Sequence, residues 1–444
     1  MRQVRRKIVD PSVRTYLLKA KEEGIKLSWN RFEEMLPQDG FGRLGLSCHD
    51  CLLGPCRLNP FGENEVGTIC GLTKDDLVLR TLYRLVSNND LEIDPTDLDC
   101  GCEDNDSLLG LVRCQTESMK KMVGSRKVQG VTRQVGLGVL KDDYINVCLE
   151  EASPVLMNMV QALVEELKEE ATSRGAKGFN VVVAGDISPV FSFPSVNNIG
   201  GVEFAVLTGL LDSYIVGAKG LGLGRNAVSY YHTFFAQADR SVCKVKVKDW
   251  LIESADAYRK RDRKKVLASD QIGEVELIDL DKAMIKQNMD NGCIKGVCIL
   301  GGGTNLKVTQ DALICEAAVR LSSMGVLCLT YGNAAVTLGK YGYLQKAGDA
   351  NALVSCVGAE LDVVKILDLV EGLDKEKIIG LMPEIAMPRD ISNALALAGT
   401  GVKVLTSINL PLEGSKAVGA EINTLINYCS PSEYVDEALN SLAL

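Results

Sequence analysis

With 444 residues, 46% of them hydrophobic and 5% aromatic, the chain is long enough for two or three domains with buried cores. A formal net charge of −9 leaves no basic excess to neutralise phosphates, which argues against a nucleic-acid binder. No uninterrupted apolar run is long enough for membrane insertion, and the start, MRQVRRKIVDPSV, lacks the apolar segment of a signal peptide, so a cytoplasmic protein is expected.

Residues 1 to about 140 carry helical patterns, Val13 to Glu23 and Lys74 to Leu85, without a strong β pattern. They are interrupted by a cysteine loop and by the acidic, polar stretch Asn88 to Ser107. The loop, CHDCLLGPCRLNPFGENEVGTICG, spaces Cys48, Cys51, Cys56 and Cys70 by two, four and thirteen intervening residues. A cubane iron–sulfur cluster takes four converging thiolates, and a compact pair, a Gly54-Pro55 turn and a returning fourth cysteine supply them within one loop. Asn59-Pro60 and Gly62 stop a helix from running on to Cys70. Zinc is the rival ligand, since a Cys-x2-Cys pair with two further cysteines also suits a tetrahedral site, but zinc sites usually close with a second tight pair. Fifteen cysteines in a reducing compartment point to metal or redox chemistry rather than a disulfide framework. His49 is either a hydrogen-bond donor to a cluster sulfur or an ordinary exposed loop residue.

From about Asp142 short apolar strands alternate with helices. Tyr144 to Leu149, Phe179 to Ala184, Ser213 to Ala218 and Val242 to Val247 read as strands, with helices over Pro154 to Thr172 and Gly201 to Leu211. A charged segment follows around Asp249 to Lys265, in which the basic run Tyr258 to Lys265 reads as a solvated linker or helix face. Beyond it strands are expected at Gly296 to Gly301, Val326 to Tyr331, Ile378 to Leu381 and Val402 to Leu405, with helices starting near Thr309, Asn333 and Arg389. Such alternation builds a parallel sheet covered on both faces. The expected fold is therefore α/β: a helical domain with the iron–sulfur loop (1–140), then two doubly wound, Rossmann-like domains (141–275 and 276–444). The glycine runs Gly217 to Gly224 and Gly301 to Gly303 follow strands, but neither has full dinucleotide or P-loop spacing. Both read as tight turns, and no flavin or nicotinamide site is expected.

The cysteine loop closely resembles the segment of nickel–iron carbon monoxide dehydrogenase catalytic subunits that binds their 4Fe-4S relay cluster, including GPCR-x-NPFG and the closing CG. Gly136-Leu-Gly-Val-Leu-Lys141, Tyr144-Ile-Asn-Val147 and Pro154-Val-Leu156 look like the opening of that family's first α/β domain, and Pro383-Glu384 and Gly414-Ser415 resemble parts of its third. The resemblance implies one 4Fe-4S cluster on Cys48, Cys51, Cys56 and Cys70, and a homodimer.

The departures bear on activity. Where the family has a histidine ligand to its nickel–iron active-site cluster, this chain has Glu150-Glu151-Ala152. The family's ligand cysteines fall near Asp186-Ile187, Gly220, Gly303 and Asn333, leaving only Cys356. One thiolate cannot hold a multinuclear cluster that depends on several soft ligands. The family's lysine after the proline-glutamate pair is here Arg389, and a guanidinium does not exchange protons near neutrality. Neither a nickel–iron–sulfur cluster nor ordinary CO/CO2 interconversion is therefore expected. Asp39 to Ser47 contain no cysteine, so the cluster that bridges the family's dimers is expected to be absent as well.

Cys148, Cys298, Cys315 and Cys328 lie in apolar patterns and read as small buried hydrophobes. Cys100, Cys102 and Cys114 are free thiols or part of a second metal or redox site. His232 reads as a helix-face histidine, and Glu150, Glu151 and Asp186 either form an oxygen-rich site for a hard metal or are simply solvated. No catalytic residue is assigned. The expected function is a carbon monoxide dehydrogenase-like 4Fe-4S electron-transfer protein or complex subunit of an oxygen-poor cell, with a redox protein as partner. The alternatives are an oxidoreductase with a rebuilt metal site near Cys356, and a structural or assembly subunit stapled by a metal.

Overall fold

The segments Ile145–Glu150, Leu211–Val216 and Val326–Tyr331 are strands buried along their whole length. Their near-continuous apolar sequences suit strands covered on both faces. The computed structural model describes residues 8–61, 67–87, 130–239, 242–344 and 353–444. The stretch Asn88 to Ser107, with Cys100 and Cys102, and Cys114 beyond it, lie outside the described residues.

In chain order the strands are β1 (Ser47–Cys48), β2 (Cys56–Arg57), β3 (Val131–Val135), β4 (Ile145–Glu150), β5 (Phe179–Ala184), β6 (Ser195–Asn197), β7 (Leu211–Val216) and β8 (Phe234–Gln237). They continue with β9 (Gly273–Leu277), β10 (Gly296–Leu300), β11 (Val326–Tyr331), β12 (Val354–Gly358), β13 (Ile378–Leu381), β14 (Lys403–Thr406) and β15 (Ile426–Tyr428). β1 and β2 form a hairpin of their own, and the rest form one sheet in the order β15-β14-β13-β10-β11-β12-β9-β3-β6-β5-β4-β7-β8.

Two doubly wound halves are visible in that order. In each, the chain starts near the middle, β4 or β10, runs outward one way to β6 or β12, and returns to the other side at β7 or β13. All pairs within β4–β8 and within β10–β15 are parallel. The halves are joined by the antiparallel pair of β3 and β9, with Val131 opposite Leu277 and Val135 opposite Gly273. These two strands carry Thr132-Arg-Gln134 and Glu274-Val-Glu276, so their apolar content is too low to announce them in the sequence.

One expected strand is overturned. Val242 to Val247 runs into a helix, Lys244–Arg259, whose buried residues Val247, Trp250, Leu251, Ser254, Ala255 and Tyr258 recur every three or four positions. The local alternation of valine and lysine loses to that longer helical stripe. The helix expected over Gly201 to Leu211 is shorter, Val202–Leu207, because Leu211 already begins β7.

The N-terminal helical segments bury their apolar faces on the two sheet halves. Val13, Tyr16, Ala20 and Trp29 pack with Phe204, Val206 and Leu137 of the first half. Leu46, Leu58, Leu77 and Leu82 pack with Leu395, Leu412 and Ile422 of the second. Docking of the cysteine loop on the second half is close: a Cβ on Gly45 (φ +74) would lie 2.2 Å from the Pro411 carbonyl, and one on Gly414 would lie 2.4 Å from that of Leu44. Ser415 Oγ donates to Asp75 Oδ1 at 2.6 Å across the same seam. Among the described residues no helix is long and apolar enough to cross a membrane.

Candidate metal centre and interdomain site

The hairpin of β1 and β2 sets Cys48 opposite Cys56, so two of the four predicted ligands are fixed by strand register. Cys51 lies in the connection between them, and Cys70 returns through a turn in which Thr68 N–H donates to Leu72 O and Gly71, at φ +93, donates to Thr68 O. Gly67 is required there, because a Cβ would meet Leu72 O at 2.6 Å. All four cysteines line one cavity of about 400 Å³, together with Asp50, Gly54, Ile69, Leu72 and Arg80. Cys48 is buried, Cys56 half-buried, and Cys51 and Cys70 exposed.

Electrostatics at this cavity favour thiolate at Cys70. The Thr68 hydroxyl, 3.2 Å from Cys70 Sγ, and then the Leu72 amide hold its pKa below the ordinary thiol value. Arg80 and Arg84, one turn apart on the helix Lys74–Ser87, pair with Asp50 at 3.3 and 2.9 Å. His49 Nε2 sits 2.9 Å from Ser47 Oγ at the exposed end of the hairpin. Among the described residues no three His, Cys, Asp or Glu side chains are arranged around a single ion. Four thiols on the walls of one cavity are the donor set that a cubane takes, each thiol binding a different iron. Sequence reasoning missed Thr68, Asp50 and Arg80; the i,i+4 spacing of Arg80 and Arg84 was the available signal.

A second site lies where the carboxyl ends of the two sheet halves meet. Arg389, at the start of the helix Pro388–Gly399 after β13, makes a bidentate ion pair with Glu151 after β4, at 2.7 and 2.9 Å. Its Nε lies 3.8 Å from Glu360 Oε2. Glu360, after β12, accepts from the Asn333 amide at 2.8 Å and donates its own amide to Asp186 Oδ1, after β5, at 3.1 Å. A Cβ on Gly303, after β10, would lie 2.9 Å from Asn333 Nδ2 and 3.6 Å from Asp390 Oδ2. Thus Glu151, Asp186, Gly303, Asn333 and Arg389, singled out separately in the sequence, converge at five strand ends. Glu360 and Asp390 were not anticipated, although Glu360 follows closely on the strand that carries Cys356.

Burial opposes the charge of Arg389, but Glu151, Glu360, Asp186 and Asp390 outweigh it and push the guanidinium pKa up. The same burial pushes Asp186 up to about 7 and Glu360 up to about 8, with Arg389 pulling both back. Glu151 itself has φ +50, a left-handed conformation held at the strand end by its ion pair. Gly217 packs against it so closely that a Cβ would lie 1.8 Å from Glu151 O.

The structure does not unite Glu150, Glu151 and Asp186 as a hard-metal site. Consecutive residues at a strand end point to opposite faces. Glu150 turns away to accept from the Tyr214 hydroxyl and, at 2.8 Å, from the Gly222 amide. Its carboxyl therefore fills the glycine turn Gly217 to Gly224 from within. Cys356 lies with Val135, Ile187, Val275, Leu277, Ala335 and Val336, its thiol directed at Gly358 O. Burial pushes that thiol up to about 12. Cys148, Cys298 and Cys328 are buried in apolar clusters and Cys315 is half-buried against one. His232 is in the bend before β8, not on a helix, with Nε2 3.0 Å from Asp212 Oδ1.

Below this site a buried lysine ties the N-terminal segment to both halves. Lys340 Nζ lies 3.0 Å from Asp10 Oδ2, 2.8 Å from Asp311 Oδ2 and 3.2 Å from Asn197 Oδ1. Burial disfavours its charge, yet Asp311 and Asp10 overcome that and raise its pKa.

No protein-family model matches the chain. Carbon monoxide dehydrogenase 2 of Carboxydothermus hydrogenoformans is 23% identical over 488 residues, covering 77% of this chain and 76% of that protein. Carbon monoxide dehydrogenase 1 of Methanosarcina mazei is 24% identical over 577 residues, covering 93% and 92%. The solved structure of carbon monoxide dehydrogenase IV from Carboxydothermus hydrogenoformans superposes with a TM-score of 0.76 at 20% identity, over 99% of both chains. The class is therefore an α/β protein with a large, mostly parallel sheet and the architecture of a carbon monoxide dehydrogenase. In sequence, too, the chain resembles those enzymes, as a divergent relative.

Proposed function

We propose that the protein is a carbon monoxide dehydrogenase-like iron–sulfur redox protein or complex subunit that does not itself interconvert CO and CO2. In this reading Cys48, Cys51, Cys56 and Cys70 hold one 4Fe-4S cluster. The observation that carries it is the convergence of these four thiols, and of no other cysteine among the described residues, on the walls of one cavity. A bound cluster supplies a single reversibly exchanged electron. Cys51 and Cys70, both exposed, put that electron within reach of a redox partner, and the Thr68 and Leu72 donors stabilise negative charge at Cys70. Such a surface-near cluster suits a reducing, oxygen-poor cytoplasm.

At the interdomain site, Arg389 and its carboxylates stand where the resemblance assigns soft ligands and a proton-exchanging lysine. A guanidinium held by four acids donates hydrogen bonds but does not cycle a proton. The Cys356 thiol is spent on Gly358 O in an apolar surround.

The test is iron, nickel, zinc and acid-labile sulfide per chain in protein purified without oxygen, with and without Cys56→Ser. About four iron and four sulfide, lost in the variant, with no nickel and no CO-dependent dye reduction, is the expected result. Stoichiometric zinc at the cysteines, or nickel and iron that survive the substitution, would overturn the proposal.

A further inference from the structure

A cleft of about 980 Å³ runs between the segment 32–43 and the loops that follow β10, β14 and β15. Its size is at the upper end of small-molecule sites. It opens at the carboxyl edge of the second sheet half, whose strand order turns back between β10 and β13, and open α/β sheets take ligands at that edge. Neither the cysteine cavity nor the Arg389 site shares a lining residue with it.

Two cations stand in this cleft without an ion pair. Arg43 and Lys307 both line it, and among the described residues neither has an ion pair or a side-chain hydrogen bond. Elsewhere Arg31, Arg80, Arg174, Arg261 and Arg320 are all paired with carboxylates. Lys307, though exposed, is partly desolvated where it borders the cleft, which lowers its pKa, and the charge of Arg43 lowers it further. The cleft also contains Asp39 and Glu413, but Asp39 is committed to the Gly42 amide at 2.7 Å and neither acid pairs with the cations. A doubly charged anion would relieve the repulsion and take donors from both. Two aromatic rings share the cleft: Phe32, half-buried, and Tyr428, 50% exposed. Each offers a face for a planar group.

We infer that this cleft binds a nucleoside phosphate, with Arg43 and Lys307 on the phosphate and Phe32 and Tyr428 beside the base. The inference is independent of the cluster reading and stands or falls without it. It does not use the glycine turns, which are filled by Glu150 and by the Tyr331 hydroxyl, 2.4 Å from where a Gly301 Cβ would lie.

The experiment is calorimetric titration of the full-length, anaerobically purified protein at low salt with ADP, inorganic phosphate and adenosine. ADP is expected to bind, with phosphate alone and adenosine each at least about tenfold weaker. Arg43→Gln and Lys307→Gln each weaken ADP by about tenfold or more, and Tyr428→Ala weakens ADP and adenosine but not phosphate. Both cations are exposed, so the glutamine variants retain the wild-type melting temperature and iron content. Absence of ADP binding at millimolar concentration, or ADP binding untouched by Arg43→Gln and Lys307→Gln together, overturns the site. Phosphate binding as tightly as ADP overturns the nucleoside assignment.

Discussion

Arg389 and Glu151, 238 positions apart in the chain, close a two-pronged ion pair across the seam between the sheet halves, at 2.7 and 2.9 Å. The side chains are only 15% and 6% exposed, so the pair works in a medium that screens it poorly. It joins the halves at the point where the resemblance expects a metal cluster.

Replacing Arg389 by methionine leaves Glu151, Glu360, Asp186 and Asp390 buried around no counter-charge. The expected cost is about 3 kcal/mol of unfolding free energy, read from urea denaturation. Arg389→Lys recovers part of it, because a lysine keeps the charge but not the fork. Equal stability of Arg389→Met and wild type would show that the seam is held by apolar packing alone.

Glu150 makes stability depend on pH. Burial, only partly offset by Tyr214 and the Gly222 amide, pushes its carboxyl from 4.5 up to about 7. Between those values the native state keeps a proton that the unfolded chain has released. The Glu150 contribution is therefore fully present below about pH 4.5 and is lost as pH rises through about 7, by on the order of 3 kcal/mol. Asp186 and Glu360 act in the same direction. Urea midpoints are expected to fall from pH 5 to pH 8, and to fall less in Glu150→Gln; parallel curves would refute the assignment.

Thr68 tunes Cys70. With the cysteines holding a cluster, Thr68→Val removes a hydrogen bond to a ligand sulfur and lowers the reduction potential by on the order of tens of millivolts, without loss of iron. Cys243→Ser and Cys293→Ser, at exposed thiols away from the cavity, leave potential and iron unchanged. Anaerobic redox titration followed by electron paramagnetic resonance measures both.

Lys340 pairs with both Asp10 and Asp311 and is the single cation to do so among the described residues, with no exposure of its side chain. Lys340→Met strands two buried carboxylates and is expected to cost about 4 kcal/mol. Adding Asp311→Asn returns part of that loss, which a double-mutant cycle reads as coupling. Strict additivity would mean that the two residues do not act as a pair.

How much of this was legible depended on range. Val326 to Tyr331 and Ile378 to Leu381 were found to the residue, since a run of apolar β-formers between breakers has few other uses. The convergence of Cys48, Cys51, Cys56 and Cys70 was legible for the same reason: they lie within a single short segment, and strand register sets Cys48 opposite Cys56. At the second site the sequence showed the odd residues, Glu151, Asp186, Asn333 and Arg389, but not what they make, and it passed over Glu360 and Asp390.

Local pattern by itself determined the α/β class, the order of most elements and the grouping of the four cysteines in one loop, because periodicity, turn residues and close spacing act over a few residues. Tertiary structure alone decided that β3 and β9 fuse two halves into one sheet, that Glu150 faces a glycine turn while Glu151 meets Arg389, and that Lys340 gathers Asp10 and Asp311. Those outcomes rest on pairing between residues far apart in the chain, where burial makes each charge seek whichever partner the fold brings near.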